Sequence, residues 1–185
     1  SLCYQQKRVL MQSIGASDTI IVVDNPKYLE EIASWEGHAV NLNMIKIGKE
    51  LIYYLGVSDK KPYRLLNVKR GYWNTRPAAH TVGDTIFKLQ VTLNYGYDGL
   101  IPNMQLQDKI AEYYAEVCKV NGLAYYDFDG QEFLFNNGHG YYSAKRFFRK
   151  MFEKAAALGV PYIRFTGATL SEGSWQYHSV WNVGG

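Results

Sequence analysis

Along the first half of the chain, apolar positions come in short runs, not helical stripes. Thr19 to Val23 is a β-branched run, and Asp24-Asn25-Pro26 closes it with a turn signal. Leu29 to Trp35 suits a short helix. Met44 to Ile47 and Glu50 to Leu55 flank Gly48-Lys49, which is the pattern of a hairpin. Tyr63 to Lys69 alternates loosely and Thr85 to Leu93 alternates well, so each predicts a strand. Short strands at close spacing predict a small β-barrel or sandwich over residues 1–93.

From Asn94 the period changes. Tyr95 to Gly99 reads as a glycine-rich loop. Leu106, Ile110, Tyr113, Tyr114, Val117 and Cys118 recur near the helical period. Asn103 suits the N-cap of that helix, and Gly122 the residue just past its end. A strand is expected from Leu123 to Asp129. Ala144, Phe147, Phe148, Met151, Phe152, Ala155 and Leu158 predict a second helix from Tyr141, stopped by Gly159 and Pro161. A strand from Val160 to Thr166 follows.

The two helix-strand units resemble each other. NGLAYYDFDG (121–130) aligns without gaps on LGVPYIRFTG (158–167), at an offset of 37 residues. Any two helix-glycine-strand units would share some of this likeness. In either case the expectation is βαβ, with parallel strands connected right-handedly. A repeat of this length suits a (β/α) barrel, whose full form takes about 250 residues. Residues 94–185 are therefore expected to be a segment of such a barrel, or a smaller α/β domain. The expected fold class is α/β: βαβ units of a partial TIM-like barrel, preceded by a small β-barrel or sandwich module.

Composition alters this picture little. At 185 residues and 47% hydrophobic, the chain can bury a core. A net charge of +3 without a long basic run argues against nucleic acid as a partner. KRFFRK (145–150) reads as the solvated face of the second helix. The 16 tyrosines and 4 tryptophans suit sugar rings or protein surfaces as well as core. Cys3 and Cys118 have neither disulfide nor metal-ligand spacing. No apolar run reaches the length of a membrane span, and no signal peptide is visible. The opening SLCYQQKRV does not read as a natural start, so the chain is expected to be a piece of a longer one.

The chemistry concentrates after the third predicted segment of the second half. Strand alternation puts Tyr125, Asp127 and Asp129 on one face, and Tyr126 and Phe128 on the other. Adjacent carboxylates on one face are costly unless that face opens to solvent or ligand. Asp127 and Asp129 are thus expected at a site mouth, with Glu132 in the loop after Gly130. In the aligned unit Arg164 takes the place of Asp127 and Thr166 that of Asp129, so Arg164 is expected to pair with Asp127 across neighbouring strands. Glu172 follows in the next loop, near Trp175, His178 and Trp181.

Two carboxyl groups flanking a bond are what glycoside hydrolysis usually needs. Plainer roles exist for each group. Asp127 could be only a partner for Arg164, Asp129 a turn-former, Glu172 a solvated loop acid, and Trp175 and Trp181 the cover of a core edge. No phosphate-binding glycine loop, dinucleotide fingerprint or G-x-S-x-G elbow occurs, and His139 and His178 lack zinc-ligand spacing. No cofactor is expected. A divalent cation such as calcium is the one that Asp127, Asp129 and Glu132 could hold.

Two stretches carry a resemblance. IGKELIYYLGV followed by RGYWNTRPAAHTVGD follows, at all positions but one, the order I-G-x-E-x-I-x-Y, then R-G-x-x-G-T-x-x-x-x-H-x-x-G. Over residues 15–90 this resembles a small β-module of phage tail proteins, which also interrupts some large bacterial proteins with a glycosidase-like barrel. The matching residues are Ile47, Gly48, Glu50, Ile52, Tyr54, Arg70, Gly71, Thr75, His80 and Gly83. Asn74 replaces a glycine of the pattern and is the next-best residue for a left-handed turn. The motif's polar residues have two readings: a structural one, in which Glu50 and Arg70 pair or cap turns and His80 hydrogen-bonds within the barrel, and a functional one, in which they bind a ligand or act in catalysis. Turn glycines and polar residues at regular spacing favour the structural one.

Residues 94–185, through YYDFDGQE and SEGSWQYHSVW, resemble a piece of the catalytic barrel of secreted bacterial glycoside hydrolases. That resemblance implies catalysis by Asp127, Asp129 or Glu132 with Glu172. It also implies sugar contacts from Tyr97, Arg164, Trp175, His178 and Trp181, and a secreted or periplasmic location. Carbohydrate is the expected partner, together with the rest of the parent chain, and neither nucleic acid nor membrane. The alternative is a non-enzymatic module that binds glycans or partner subunits. A metal-dependent enzyme acting on phosphate esters is a third reading.

Overall fold

The computed structural model describes the backbone of residues 1–94, 97–123, 125–128, 131–167, 177 and 180–181. The chain divides into two compact units: Cys3–Leu100, and Ser1–Leu2 together with Ile101–Gly185.

Among its described residues the Cys3–Leu100 unit holds ten strands: β1 (Tyr4–Val9), β2 (Ile32–Trp35), β3 (His38–Asn41), β4 (Met44–Ile47), β5 (Glu50–Tyr53), β6 (Gly56–Val57), β7 (Leu65–Leu66), β8 (Thr85–Leu89), β9 (Val91–Asn94) and β10 (Tyr97–Leu100). Four of them form an antiparallel sheet in the order β1-β8-β4-β5. Three ribbons, β2-β3, β6-β7 and β9-β10, complete the set. The β4-β5 hairpin forms where Gly48-Lys49 predicted it, with Ile47 opposite Glu50 and Gly48 at φ 58°. Its apolar residues Ile45, Ile47 and Ile52 join Leu10, Ile21 and Ile86 in one core. Tyr54 is fully buried there, and its hydroxyl donates to the Leu29 carbonyl.

Three local expectations for this unit are corrected. The Leu29–Trp35 window is not a helix. Its second half is β2, which turns through Glu36 and Gly37 at φ 48° and 80° into β3. Two left-handed residues in a row make the tight hairpin turn that right-twisted strands prefer, and seven residues are too few for periodicity to exclude it. The Thr85–Leu93 segment breaks at Gln90 into β8 and β9, which join different sheets. Thr19–Val23 contributes only isolated bridges, Val22 to Arg64 and Leu10 to Val23. The expected small barrel or sandwich is, among the described residues, an open sheet edged by β1 and β5 with short ribbons. Closure would need the two edge strands β1 and β5 to pair, and among the described residues they do not.

The second unit contains α1 (Met104–Asn121), β11 (Tyr125–Phe128), a 3-10 helix (Gln131–Asn137), α2 (Tyr141–Ala157), β12 (Arg164–Gly167) and β13 (Val180–Trp181). The strands are parallel, in the order β11-β12-β13. Asn103 caps α1 by accepting from the Leu106 N–H at 3.0 Å, and Gly122 at φ 64° ends it. Gly159 ends α2 at φ 69°, while the Val160 N–H reaches back to the Ala155 carbonyl at 3.0 Å. The helices run in the same direction. Arg146 bonds Asp108 and Lys154 bonds Glu116, equal steps along both.

The face that α1 buries is turned by about one residue from the predicted stripe. Gln107, Ala111, Ala115 and Cys118 are buried, whereas Tyr113 is 61% exposed. Small residues decide this. Ala111 and Ala115 pack in one cluster with Ala144 of α2, and the buried Gln107 donates to the Ser143 carbonyl at 2.7 Å.

The partial TIM-like barrel is not found. Among the described residues there are two α-helices, an open three-stranded parallel sheet, and otherwise small antiparallel sheets, which is not a TIM-like βαβ arrangement. A barrel of that kind needs eight parallel strands, each followed by a helix.

Candidate functional site

Glu50 is the first residue of β5, directly after the Gly48-Lys49 turn, and this places its carboxylate inside the unit. The chain later returns beside β5: Tyr53 and Lys69 exchange backbone bonds at 3.1 and 2.7 Å. Arg70 follows at once and meets Glu50 in a bidentate pair, Nε to Oε1 at 2.7 Å and Nη2 to Oε2 at 2.8 Å. The Gly71 N–H donates to Oε1 at 3.0 Å and the Ala78 N–H to Oε2 at 3.1 Å. His80 Nε2 lies 2.7 Å from Oε2 and donates to it. The remaining Arg70 donors go to the carbonyls of Gly15, Asp18 and Ala78.

Five donors converge on one carboxylate whose side chain is 0% exposed. Burial alone would raise the Glu50 pKa. The bonds from Arg70, His80, Ala78 and Gly71 outweigh it and hold the group down at about 2. A carboxylate with every lone pair engaged and no route to solvent is a poor proton carrier. It ties together the segments around residues 15–18, 50, 70–71 and 78–80. Glu50, Arg70 and His80 thus serve the backbone that they hold together.

What this knot positions is the turn that follows it. Gly71, Trp73 and Asn74 take φ of 62°, 50° and 59°. Asn74 therefore adopts the left-handed conformation for which its pattern position calls. Glycine at 71 is also required by space: a Cβ there would lie 2.7 Å from the Thr75 carbonyl oxygen and from Pro77 Cδ. Gly71→Ala is expected to destabilise the protein by roughly 1–3 kcal/mol, read as a lower urea midpoint. Thr75 pins the far end of the turn, since its hydroxyl accepts from the Leu51 N–H at 2.9 Å and donates to the Tyr72 carbonyl at 2.9 Å.

Trp73 is a bulky residue held in a conformation that L side chains rarely adopt. Its ring stacks on Tyr72 at 5.8 Å and 25°, and Tyr72 stacks on Tyr53 at 5.1 Å and 21°. Lys69 Nζ caps the Tyr53 ring at 5.7 Å. Trp73 stays 44% exposed. Among the described residues, neither its indole N–H nor the Tyr72 hydroxyl has a hydrogen-bond partner. Sequence reasoning missed this aromatic shelf. The signal for it was Tyr-Trp-Asn directly after the Arg-Gly of the motif.

The acidic stretch is described only in part. Asp127 is exposed on β11, on the same face as Tyr125, while Tyr126 and Phe128 pack toward α1 and α2. Arg164 does not meet it. The register sets Tyr125 beside Arg164 and Asp127 beside Thr166, and no ion pair joins Asp127 to Arg164 among the described residues. The strands pair at an offset of 39 residues, two more than the gapless alignment implies. A shift of two preserves the face and changes the neighbour. Thr166 instead bonds the Tyr125 hydroxyl at 2.7 Å.

Only the backbone is described for three more candidates. Glu132 lies in the 3-10 helix, Trp181 in β13, and Tyr97 at the start of β10 in the other unit. Asp129, Glu172, Trp175 and His178 lie outside the described residues. No group of three acidic, histidine or cysteine side chains gathers among the described residues, and no helix among them is long and apolar enough to cross a membrane. Compared with known proteins, the chain matches no family model and no curated protein.

Proposed function

We propose that this chain is a non-enzymatic carbohydrate-binding module that docks a sugar ring on the Tyr72–Trp73 shelf. The observation that carries the reading is Trp73 itself. An exposed tryptophan is kept in a left-handed turn, at a backbone cost, by a buried knot that does nothing else for solvent-facing chemistry. Strain of this kind persists only where the surroundings impose it, and it is a pointer toward function. A flat indole offers the C–H face of a sugar a large apolar contact, with the indole N–H and the Tyr72 hydroxyl free to bond its rim. The likeness of residues 15–90 to a module of phage tail proteins accords with a surface-binding role. The hydrolase reading rests on two carboxylates, of which Asp127 is the one whose side chain is described.

The test is binding of the chain to a glycan panel, followed by titration calorimetry on the best ligand. Trp73→Gly is expected to weaken binding roughly tenfold or more. It should leave the melting temperature nearly unchanged, because glycine takes φ 50° without steric cost. Equal binding by the variant would remove the shelf from the proposal. Turnover of a panel glycan that is lost in Asp127→Asn would favour hydrolysis instead.

A further inference from the structure

The Ile101–Gly185 segment carries a second feature that the shelf does not explain. Tyr142, Lys145, Arg146, Arg149, Lys150 and Tyr177 line a pocket of about 240 Å³ on the outer face of α2. Among the described residues, four cations meet here, against two carboxylates. Asp108 takes Arg146 in a bidentate pair at 2.8 and 2.7 Å, and Glu153 takes Arg149 Nε at 2.7 Å, with Lys150 Nζ at 3.4 Å.

These pairs orient the cations more than they consume them. Among the described residues Arg149 uses only Nε, and neither of its terminal nitrogens has a partner there. Lys145 has no partner among the described residues. Arg146 Nη1 donates to the Tyr142 hydroxyl at 3.3 Å, which leaves that hydroxyl's own proton to be given away. Tyr177 is fixed by stacking on Phe152 at 6.0 Å and 16°. Helical spacing accounts for the convergence: residues 142, 145, 146 and 149 share one face.

We infer that this pocket binds a tetrahedral oxyanion, a phosphate or sulfate group, either free or as an ester on a small ligand. Guanidinium and ammonium groups with phenolic donors are the chemistry that recognises such a group. The pocket is smaller than the roughly 300–1,000 Å³ that engulfs a drug-sized ligand, so it suits one charged group.

Inorganic phosphate, sodium sulfate and glucose 6-phosphate should be titrated into the full chain at constant ionic strength and followed by amide chemical shifts. Saturable shifts confined to α2 and its neighbours are expected, with unesterified glucose inactive. Tighter binding of the sugar phosphate than of phosphate would identify an ester as the source, and the reverse a free ion. Lys145→Ala and Arg149→Gln should each weaken binding roughly tenfold, and Arg149→Lys should restore part of it. Both sites are at the surface, and circular dichroism checks that the variants fold. Non-saturating shifts, or full binding by both variants, would overturn the inference. So would tighter binding of a single-stranded oligonucleotide with a salt dependence of several charges, which would mark a nucleic-acid surface.

Discussion

Glu50→Ala is expected to cost on the order of 3–5 kcal/mol, the range for breaking a buried ion pair and leaving its partner behind. Arg70 would remain 6% exposed with its carboxylate gone, and the Gly71 and Ala78 N–H groups would lose their acceptor. Glu50→Gln is the sharper variant. It preserves shape, but its amide NH₂ must face donors, because every group around Oε1 and Oε2 is one. It should therefore lose nearly as much as alanine. Urea unfolding with an unchanged slope and a lower midpoint would record both losses. A cost below about 1 kcal/mol for the glutamine variant would mean that the knot is not what holds these segments together.

The same group makes an acid-stability prediction. Its folded pKa of about 2 lies below its ordinary value of 4.5. The folded state thus binds fewer protons than the unfolded chain between those values. The contribution is fully present above pH 4.5 and is lost as pH falls toward 2, for a total on the order of 3 kcal/mol. Melts across that window should show the loss in the natural chain and a flatter profile in Glu50→Gln.

Lys88 is the second large case. It sits in the middle of the four-stranded sheet with 0% exposure, and its Nζ donates to the carbonyls of Leu42 and Leu89 at 3.2 Å and to Glu31 Oε2 at 3.3 Å. Lys88→Ala would leave a cavity and strand two buried acceptors, and the expected loss is roughly 2–5 kcal/mol. Lys88→Met keeps the volume of the stem and should lose less.

Burial pushes the Lys88 pKa down, and Glu31 opposes this only in part. The unfolded chain therefore binds more protons in the window below the ordinary lysine value of 10.5. Stability from this residue rises as pH climbs through that window, because the cost of a buried charge is relieved. Melting temperatures from neutral to alkaline pH should show that gain in the natural chain but not in Lys88→Met. An identical profile in both would show that Lys88 is not titrating in the core.

Local chemistry was legible in the sequence wherever one residue type had one physical use. The Gly48-Lys49 hairpin, the Asn103 cap and the two helix-ending glycines follow from backbone sterics and orphan amide groups, which act over a few residues. The apolar face of α2 was equally plain, since its phenylalanines leave little choice. Three-dimensional assembly decided the rest. Whether α1 turns Tyr113 or Ala111 inward depends on how closely α2 approaches, and only the packed pair specifies that. The partner of Asp127 depends on strand register, which a two-residue shift alters without changing any face. The barrel expectation failed for the same reason. Periodicity marks a strand and a helix, but closure depends on how many strands meet and which edges remain open. The order of Glu50, Arg70 and His80 along the chain pointed to their pairing, but the knot joins residues up to 65 positions apart, from Gly15 to His80, so only the folded chain shows five donors on one carboxylate and Trp73 left exposed beside it.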